Sequence, residues 1–263
     1  TTPIGCITTH TLTVHPLAPI VGPATVCQGR TISLSDPAVG GTWVSSDIAV
    51  AAIGSTSGTL TGVGPGTATI TYTTPAGCTV STTITVYPLA PILGVTAICA
   101  GQTTTLTDGT PDGTWSSSAA LIAAIDGSTG TVSGVAAGTA IISYTTPAGC
   151  VATLAFRVHP FPAAIGGVTT VCVGSTTTLT NTLGGGIWLS VNPLVATVGV
   201  SSGIATGISA DTTTIYYTTT GGCSVSVLLT VHPLPAAIVG PSGLCVGSTT
   251  TLTNATPVGI WSS

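Results

Sequence analysis

Eight cysteines are the residues in this chain best placed to do chemistry, and their spacing is regular. Cys27, Cys99, Cys172 and Cys245 follow one another at steps of 72, 73 and 73 residues. Cys6, Cys78, Cys150 and Cys223 form a second set, at steps of 72, 72 and 73. Thiols that recur in this way point to structural cross-links; a nucleophilic centre would set one cysteine beside a base. Histidine recurs too. His15, His159 and His232 each precede a proline, with Tyr87 at that place once. A metal centre would need further ligands converging on one of them, so packing between repeats is their expected role. His10 stands at an inward position of its strand and is expected to be packed or at an edge. The six aspartates, Asp36, Asp47, Asp108, Asp112, Asp126 and Asp211, are scattered. Only Asp108 and Asp112 come close together, and a calcium loop takes several more oxygens at tight spacing. No catalytic, cofactor-binding or metal-ligating residue is expected.

Composition excludes whole classes of function. Of 263 residues only 3% are charged; the two basic ones are Arg30 and Arg157, and Lys, Glu and Met are absent. Such a chain cannot neutralise a row of phosphates, so a nucleic-acid partner is not expected. Without Lys there is no Schiff-base chemistry and no phosphate-loop lysine. With no Lys, Glu or Met and only two Arg, the chain is also short of residues that long helices draw on. Its 55 Thr and 24 Ser instead suit exposed strand faces. Despite the high apolar content, no run approaches the ~20 residues of a spanning helix. Ala119 to Ile125 is among the longest. The sequence has neither an initiator Met nor a signal peptide, and reads as a mature product or an internal piece of a longer one.

The elements that position the cysteines repeat with them. Trp43, Trp115, Trp188 and Trp261 fall at the same period, as does the Val-His/Tyr-Pro motif. The chain therefore divides into three complete units, 17–88, 89–160 and 161–233. It also holds the last hairpin of a unit at 1–16 and the first strands of another at 234–263. A period near 72 suits one small domain per repeat. Within a unit, apolar and hydroxyl residues alternate: Ala68, Ile70 and Tyr72 are interleaved with Thr67, Thr69, Thr71 and Thr73. This is the pattern of half-buried strands, and several short strands per unit predict an all-β antiparallel sandwich. Trp43, Trp115, Trp188 and Trp261, with Tyr72, Tyr144 and Tyr217, are the expected core anchors, since each unit has few other large side chains.

The stretch Gly58-Thr59-Leu60-Thr61-Gly62-Val63-Gly64-Pro65-Gly66-Thr67-Ala68-Thr69-Ile70 resembles the signature of group 2 bacterial Ig-like domains. So does Gly130-Thr131-Val132-Ser133-Gly134-Val135-Ala136-Ala137-Gly138-Thr139-Ala140. The third copy, from Gly203, departs by placing Asp211 where the others have glycine. The flanking Cys27-Gln28-Gly29 and Gly77-Cys78 are similar to Ig-like repeats of large surface proteins in Bacteroidetes-type bacteria. The resemblance covers essentially the whole chain. It implies tandem Ig-like β-sandwich domains in exported stalks, adhesins and fibres, and it carries no catalytic residues with it.

Given that topology, the two cysteines of a unit lie at opposite poles of a sandwich. Roughly eight strand residues at ~3.3 Å each then separate them, far beyond the ~7 Å between Cα atoms that a disulfide spans. Cys27 and Cys150 face one junction between units, and Cys99 and Cys223 the next. This skipping pattern is the preferred pairing. Bonds within a unit, such as Cys27–Cys78, and bonds between chains remain open alternatives. In the skipping pattern Cys6, Cys78, Cys172 and Cys245 would pair with units or chains outside this stretch. Such bonds would turn a string of beads into a stiff rod. The expected function is structural: a repeat segment of an extracellular, cell-surface bacterial fibre that self-associates, without enzymatic activity. The alternative is the stalk of an adhesin whose binding tip lies elsewhere. Glycans on Thr or Ser are a second expected partner chemistry. Asn254-Ala255-Thr256 and Asp211-Thr212-Thr213 are formal acceptor matches.

Overall fold

The alternation of hydroxyl and apolar residues resolves into strands along the chain. The structure, a computed structural model, describes residues 9–262, and every regular element among them is a β-strand. The first repeat runs β1 (Thr25–Cys27), β2 (Thr31–Ser33), β3 (Thr42–Ser45), β4 (Ala51–Ile53), β5 (Thr59–Gly62), β6 (Gly66–Thr73) and β7 (Thr79–Tyr87). The second runs β8 (Ala97–Cys99), β9 (Thr103–Thr105), β10 (Thr114–Ser117), β11 (Ala123–Ile125), β12 (Thr131–Gly134), β13 (Gly138–Thr145) and β14 (Val151–His159). The third runs β15 (Thr170–Cys172), β16 (Thr176–Thr178), β17 (Ile187–Ser190), β18 (Ala196–Val198), β19 (Ile204–Gly207), β20 (Asp211–Thr218) and β21 (Ser224–His232).

Each repeat forms the same pair of sheets. In the first, β2-β5-β4 make one sheet and β1-β7-β6-β3 the other. The second and seventh strands of a repeat thus belong to different sheets, which is the division of an Ig-like sandwich. The first strand lies parallel to the last, with Thr25 opposite Thr85 and Cys27 opposite Tyr87. The long hairpin β6–β7 carries eight paired positions, from Gly66↔Val86 to Thr73↔Thr79. The architecture is all-β, in tandem Ig-like sandwiches of about 72 residues.

Period-two patterning decides what is buried. Ala68, Ile70 and Tyr72 of β6 and Ile84 and Val86 of β7 join Val26, Leu34, Trp43, Ala51 and Leu60 in one core. The third repeat assembles the equivalent core from Leu179, Trp188, Ala196, Ile215, Tyr217, Leu229 and neighbours. Each Val, Leu or Ile among them contributes roughly 1.5–3 kcal/mol on leaving water. Trp43 packs on Tyr72 at 4.5 Å between ring centroids, Trp115 on Tyr144 at 4.6 Å and Trp188 on Tyr217 at 4.7 Å. The glycine that opens the signature stretch is required there. Gly58, Gly130 and Gly203 have φ near +70°, and a Cβ would fall within 2.5 Å of a backbone carbonyl oxygen.

The turn before β3 and its equivalents is closed by the tyrosine of the hairpin. The Tyr72 hydroxyl donates to the Ala38 carbonyl and accepts the Gly41 N–H at 2.8 Å. Tyr144 joins Thr110 and Gly113 in the same way, and Tyr217 joins Leu183 and Gly186. The residue that opens this turn differs between repeats. Asp36 and Asp108 accept the N–H of Ala38 and Thr110 through Oδ1 at 2.8 Å, while their buried Oδ2 atoms receive no hydrogen bond among the described residues. Asn181 accepts from Leu183 and also donates Nδ2 to the Ala163 carbonyl at 2.6 Å. Repeat spacing makes Ala18 and Ala90 the counterparts of Ala163. Asp36→Asn and Asp108→Asn are therefore expected to stabilise the fold, each by about 1 kcal/mol, by supplying the missing donor. Urea midpoints would show it, and an unchanged or lowered midpoint would refute it.

The segment after Pro233 differs from the expectation of first strands. Among residues 234–262 no strand forms, and one isolated bridge, Val239↔Thr253, remains. The expected core anchor Trp261 is 56% exposed. The reason is physical: Trp43, Trp115 and Trp188 are covered by a tyrosine hairpin, and residues 234–262 contain no counterpart of β5, β6 or β7. At the other end, Cys6 and half of the expected 1–16 hairpin lie outside the described residues. Residues 9–16 are irregular, and His10, expected to be packed or at an edge, is exposed.

Packing gathers the chain into two compact units. One comprises Thr1–Thr96, Thr103–Ser133 and Thr139–Phe156. The other comprises Ala97–Gln102, Gly134–Gly138 and Arg157–Ser263. The first repeat lies within the former and the third within the latter, while the second repeat contributes to both.

Candidate functional site: the cross-repeat disulfides

The chemistry of this chain sits at two sulfur bridges. Cys27 ends β1 and Cys150 immediately precedes β14, and the structure bonds them with Cα atoms 5.7 Å apart. Cys99 ends β8 and Cys223 immediately precedes β21; they are bonded with Cα atoms 5.8 Å apart. Both distances lie in the range that disulfides favour. The bonds span 123 and 124 residues of sequence, and each joins one repeat to the next. Cys78, Cys172 and Cys245 carry free thiols. Cys78 is half-buried, and Cys172 and Cys245 are exposed.

Backbone bonds hold each sulfur in place. After Cys27 the chain turns at once: the N–H of Arg30 returns to the Cys27 carbonyl, and those of Gln28 and Gly29 reach Tyr87 and Gly62. After Cys99, Gln102, Ala100 and Gly101 do the same toward Cys99, His159 and Gly134. On the other side, the hairpin turn is closed by a threonine four residues before the cysteine. Thr146 accepts the Cys150 N–H through Oγ1 at 3.1 Å and donates its own N–H to the Cys150 carbonyl at 2.8 Å. Thr74 serves Cys78 in the same way, and the Thr219 hydroxyl donates to the Cys223 carbonyl. Sequence reading overlooked these threonines, although their constant spacing of four before Cys78, Cys150 and Cys223 is a signal that was there to be read.

The remaining candidates are structural. Trp43, Trp115 and Trp188, with Tyr72, Tyr144 and Tyr217, are buried and offer no face to a ligand. Among the described residues no three His, Cys, Asp or Glu side chains come together. No helix among them is long and apolar enough to cross a membrane. The side chain of Asn254, first residue of the formal N-glycan match, is engaged: Nδ2 donates to the Ala236 carbonyl and Oδ1 accepts from Thr256. Thr212 is exposed at the start of β20, with its N–H on the Asp211 carboxylate.

One carboxyl is held well below the usual carboxylate range. Asp126 accepts the Ser128 hydroxyl at 2.8 Å, then the N–H groups of Thr129 and Ser128. Since its folded pKa is lowered, its contribution is full above the unfolded value near 4 and is lost as pH falls below that. Denaturation midpoints are expected to stay level from neutral to about pH 5 and to fall only in stronger acid. A steep change between pH 5 and 7 in a urea titration series would contradict this.

No protein-family model matches the chain, and no curated protein matches its sequence. Solved structures do. The chain is similar to invasin, a bacterial integrin-binding protein, at 15% identity over 81% of this chain and 58% of that one, with a TM-score of 0.41. It is similar to a C-terminal fragment of intimin, solved with the intimin-binding domain of the translocated intimin receptor. That match has 15% identity over 64% and 59% of the two chains and a TM-score of 0.36. Domains 1–6 of the surface layer protein SbsC match at 15% identity over 92% of this chain and 44% of that one, with a TM-score of 0.27. The chain spans about half the length of these solved chains.

Proposed function

We propose that this chain is a repeat segment of an extracellular bacterial surface fibre, built from Ig-like domains at 17–88, 89–160 and 161–233 and stiffened by disulfides. The observation that carries the reading is the pair of bonds Cys27–Cys150 and Cys99–Cys223, each of which ties one repeat to its successor. Bonds of this kind persist in oxidising surroundings outside the cytoplasm. A cross-link within one domain would stabilise that domain; a cross-link between consecutive domains restricts how they bend, which matters to a load-bearing strand. The surface supports self-association. It has almost no charge to keep copies apart, and the third repeat turns Ile187, Leu189 and Leu228 outward on the four-stranded sheet. The flanking Cys27-Gln28-Gly29 and Gly77-Cys78 resemble the cysteine-paired Ig-like repeats of Bacteroidetes-type surface proteins, which supports the same reading. Among the described residues no side-chain constellation supports catalysis, and glycans on exposed Thr and Ser would supply the solubility that charge does not.

Electron microscopy of the native material tests this directly. Polymers with a regular axial repeat are the expected result. Isolated rods ending in a distinct tip would replace the fibre with the stalk of an adhesin.

A further inference from the structure

We propose that the residue closing the last strand of a repeat is a positioning residue for the disulfide to the next repeat: Tyr87 for Cys27–Cys150, and His159 for Cys99–Cys223. Register places each beside the first sulfur. Cys27 stands opposite Tyr87 in the parallel β1–β7 pairing, and Cys99 opposite His159 in β14–β8. The carbonyl of the same residue then accepts the N–H just after the cysteine, Gln28 onto Tyr87 and Ala100 onto His159, each at 2.9 Å. The cysteine and the closing residue therefore move as one piece.

The side chain of that piece meets the turn that carries the second sulfur. Tyr87 lines a groove with Pro147 and Ala148, and Ala148 lies two residues before Cys150. His159 lies on Gly221, two residues before Cys223. That contact leaves no room: a Cβ on Gly221 would stand 2.4 Å from His159 Nδ1 and 2.9 Å from its Cβ. Pro147-Ala148 stands beside the tyrosine and bare Gly221 beneath the imidazole of His159. His15 lines a groove with Pro75 and Ala76, and Ala76 lies two residues before Cys78. Cys172 stands opposite His232, both exposed, and so presents the same face to a Thr-x-x-Gly-Cys type of turn.

Alignment matters because eight thiols allow many pairings and a disulfide tolerates only a narrow range of Cα separation. Each bond forms as two thiols give up two protons and two electrons to an oxidant. The fraction that forms correctly depends on how often the two sulfurs meet. The proposal concerns bond formation within one chain, and stands or falls separately from fibre assembly.

The test is to reduce and unfold the full chain, refold it with oxidised glutathione as the oxidant, and map the bonds by peptide mass analysis. Gly221→Ala is expected to lower the yield of Cys99–Cys223 at early times several-fold, while Cys27–Cys150 forms as in the parent chain. The second bond thus reports, in the same molecule, that the fold is intact. His159→Ala alone is expected to lower that bond likewise, and His159→Ala combined with Gly221→Ala is expected to leave it low, because the obstruction goes but the positioning ring goes with it. The proposal is overturned if either single variant leaves Cys99–Cys223 unchanged, if both bonds fall together, or if the double variant recovers the parent yield.

Discussion

Replacing Cys150 with alanine is expected to cost the folded state about 4–5 kcal/mol. The bond to Cys27 spans 123 residues, and the chain-entropy account assigns about that much to so long a loop. The effect acts through the unfolded ensemble, which regains the freedom that the bond removed. It adds to the loss of packing at Cys150, which is only 1% exposed. Cys78→Ala makes the corresponding change at a repeat-equivalent thiol that holds no bond, and is expected to leave stability nearly unchanged. Guanidinium midpoints of the two variants in non-reducing buffer would separate them. Equal midpoints would mean that the bond does not restrain the unfolded chain.

Trp188→Ala is the second large expectation, a loss of about 3–5 kcal/mol. The indole fills the third core and lies 4.7 Å from the Tyr217 ring, a contact that adds to its burial. Its removal leaves the tyrosine without a packing surface, and with it the hydroxyl that holds Leu183 and Gly186 in the turn. The same substitution at Trp261 is expected to change stability by under about 0.5 kcal/mol, because that ring is largely exposed. Near-ultraviolet circular dichroism during thermal unfolding reads both. A comparable loss at Trp261 would place it in a core that the structure does not show.

The long hairpins were legible because eight or nine consecutive residues alternate. Nothing but a half-buried strand explains Ala68-Thr69-Ile70-Thr71-Tyr72. The short strands were not, since the three residues of β2, β4 or β16 contain no period to read. Thr249-Thr250-Thr251 shows how little such a run decides: it repeats the sequence of β16, yet forms no strand. β16 pairs with β19, and residues 234–262 hold no equivalent. A strand this short takes its conformation from its partner. Two thiols per repeat at opposite poles could also be read, and with them a preference for Cys27–Cys150 and Cys99–Cys223, but not the separations that decide against the alternatives. The Tyr72 hydroxyl, the orphaned Oδ2 of Asp36 and the contact of His159 with Gly221 were invisible for the same reason. Each depends on two segments separated by tens of residues that no local pattern connects.

The two bridges overlap along the sequence: one encloses residues 27 to 150, the other 99 to 223. A break in the backbone anywhere between Cys27 and Cys223 therefore falls inside at least one closed ring, and the severed pieces stay covalently attached. The only basic residues, Arg30 and Arg157, both lie within these rings. A protease that cut after both would make three fragments, with the middle one holding Cys150 and Cys99 and so still bonded to Cys27 on one side and Cys223 on the other. Continuity from end to end does not depend on any single peptide bond in that span. This is tolerance of damage written into the order of the cysteines.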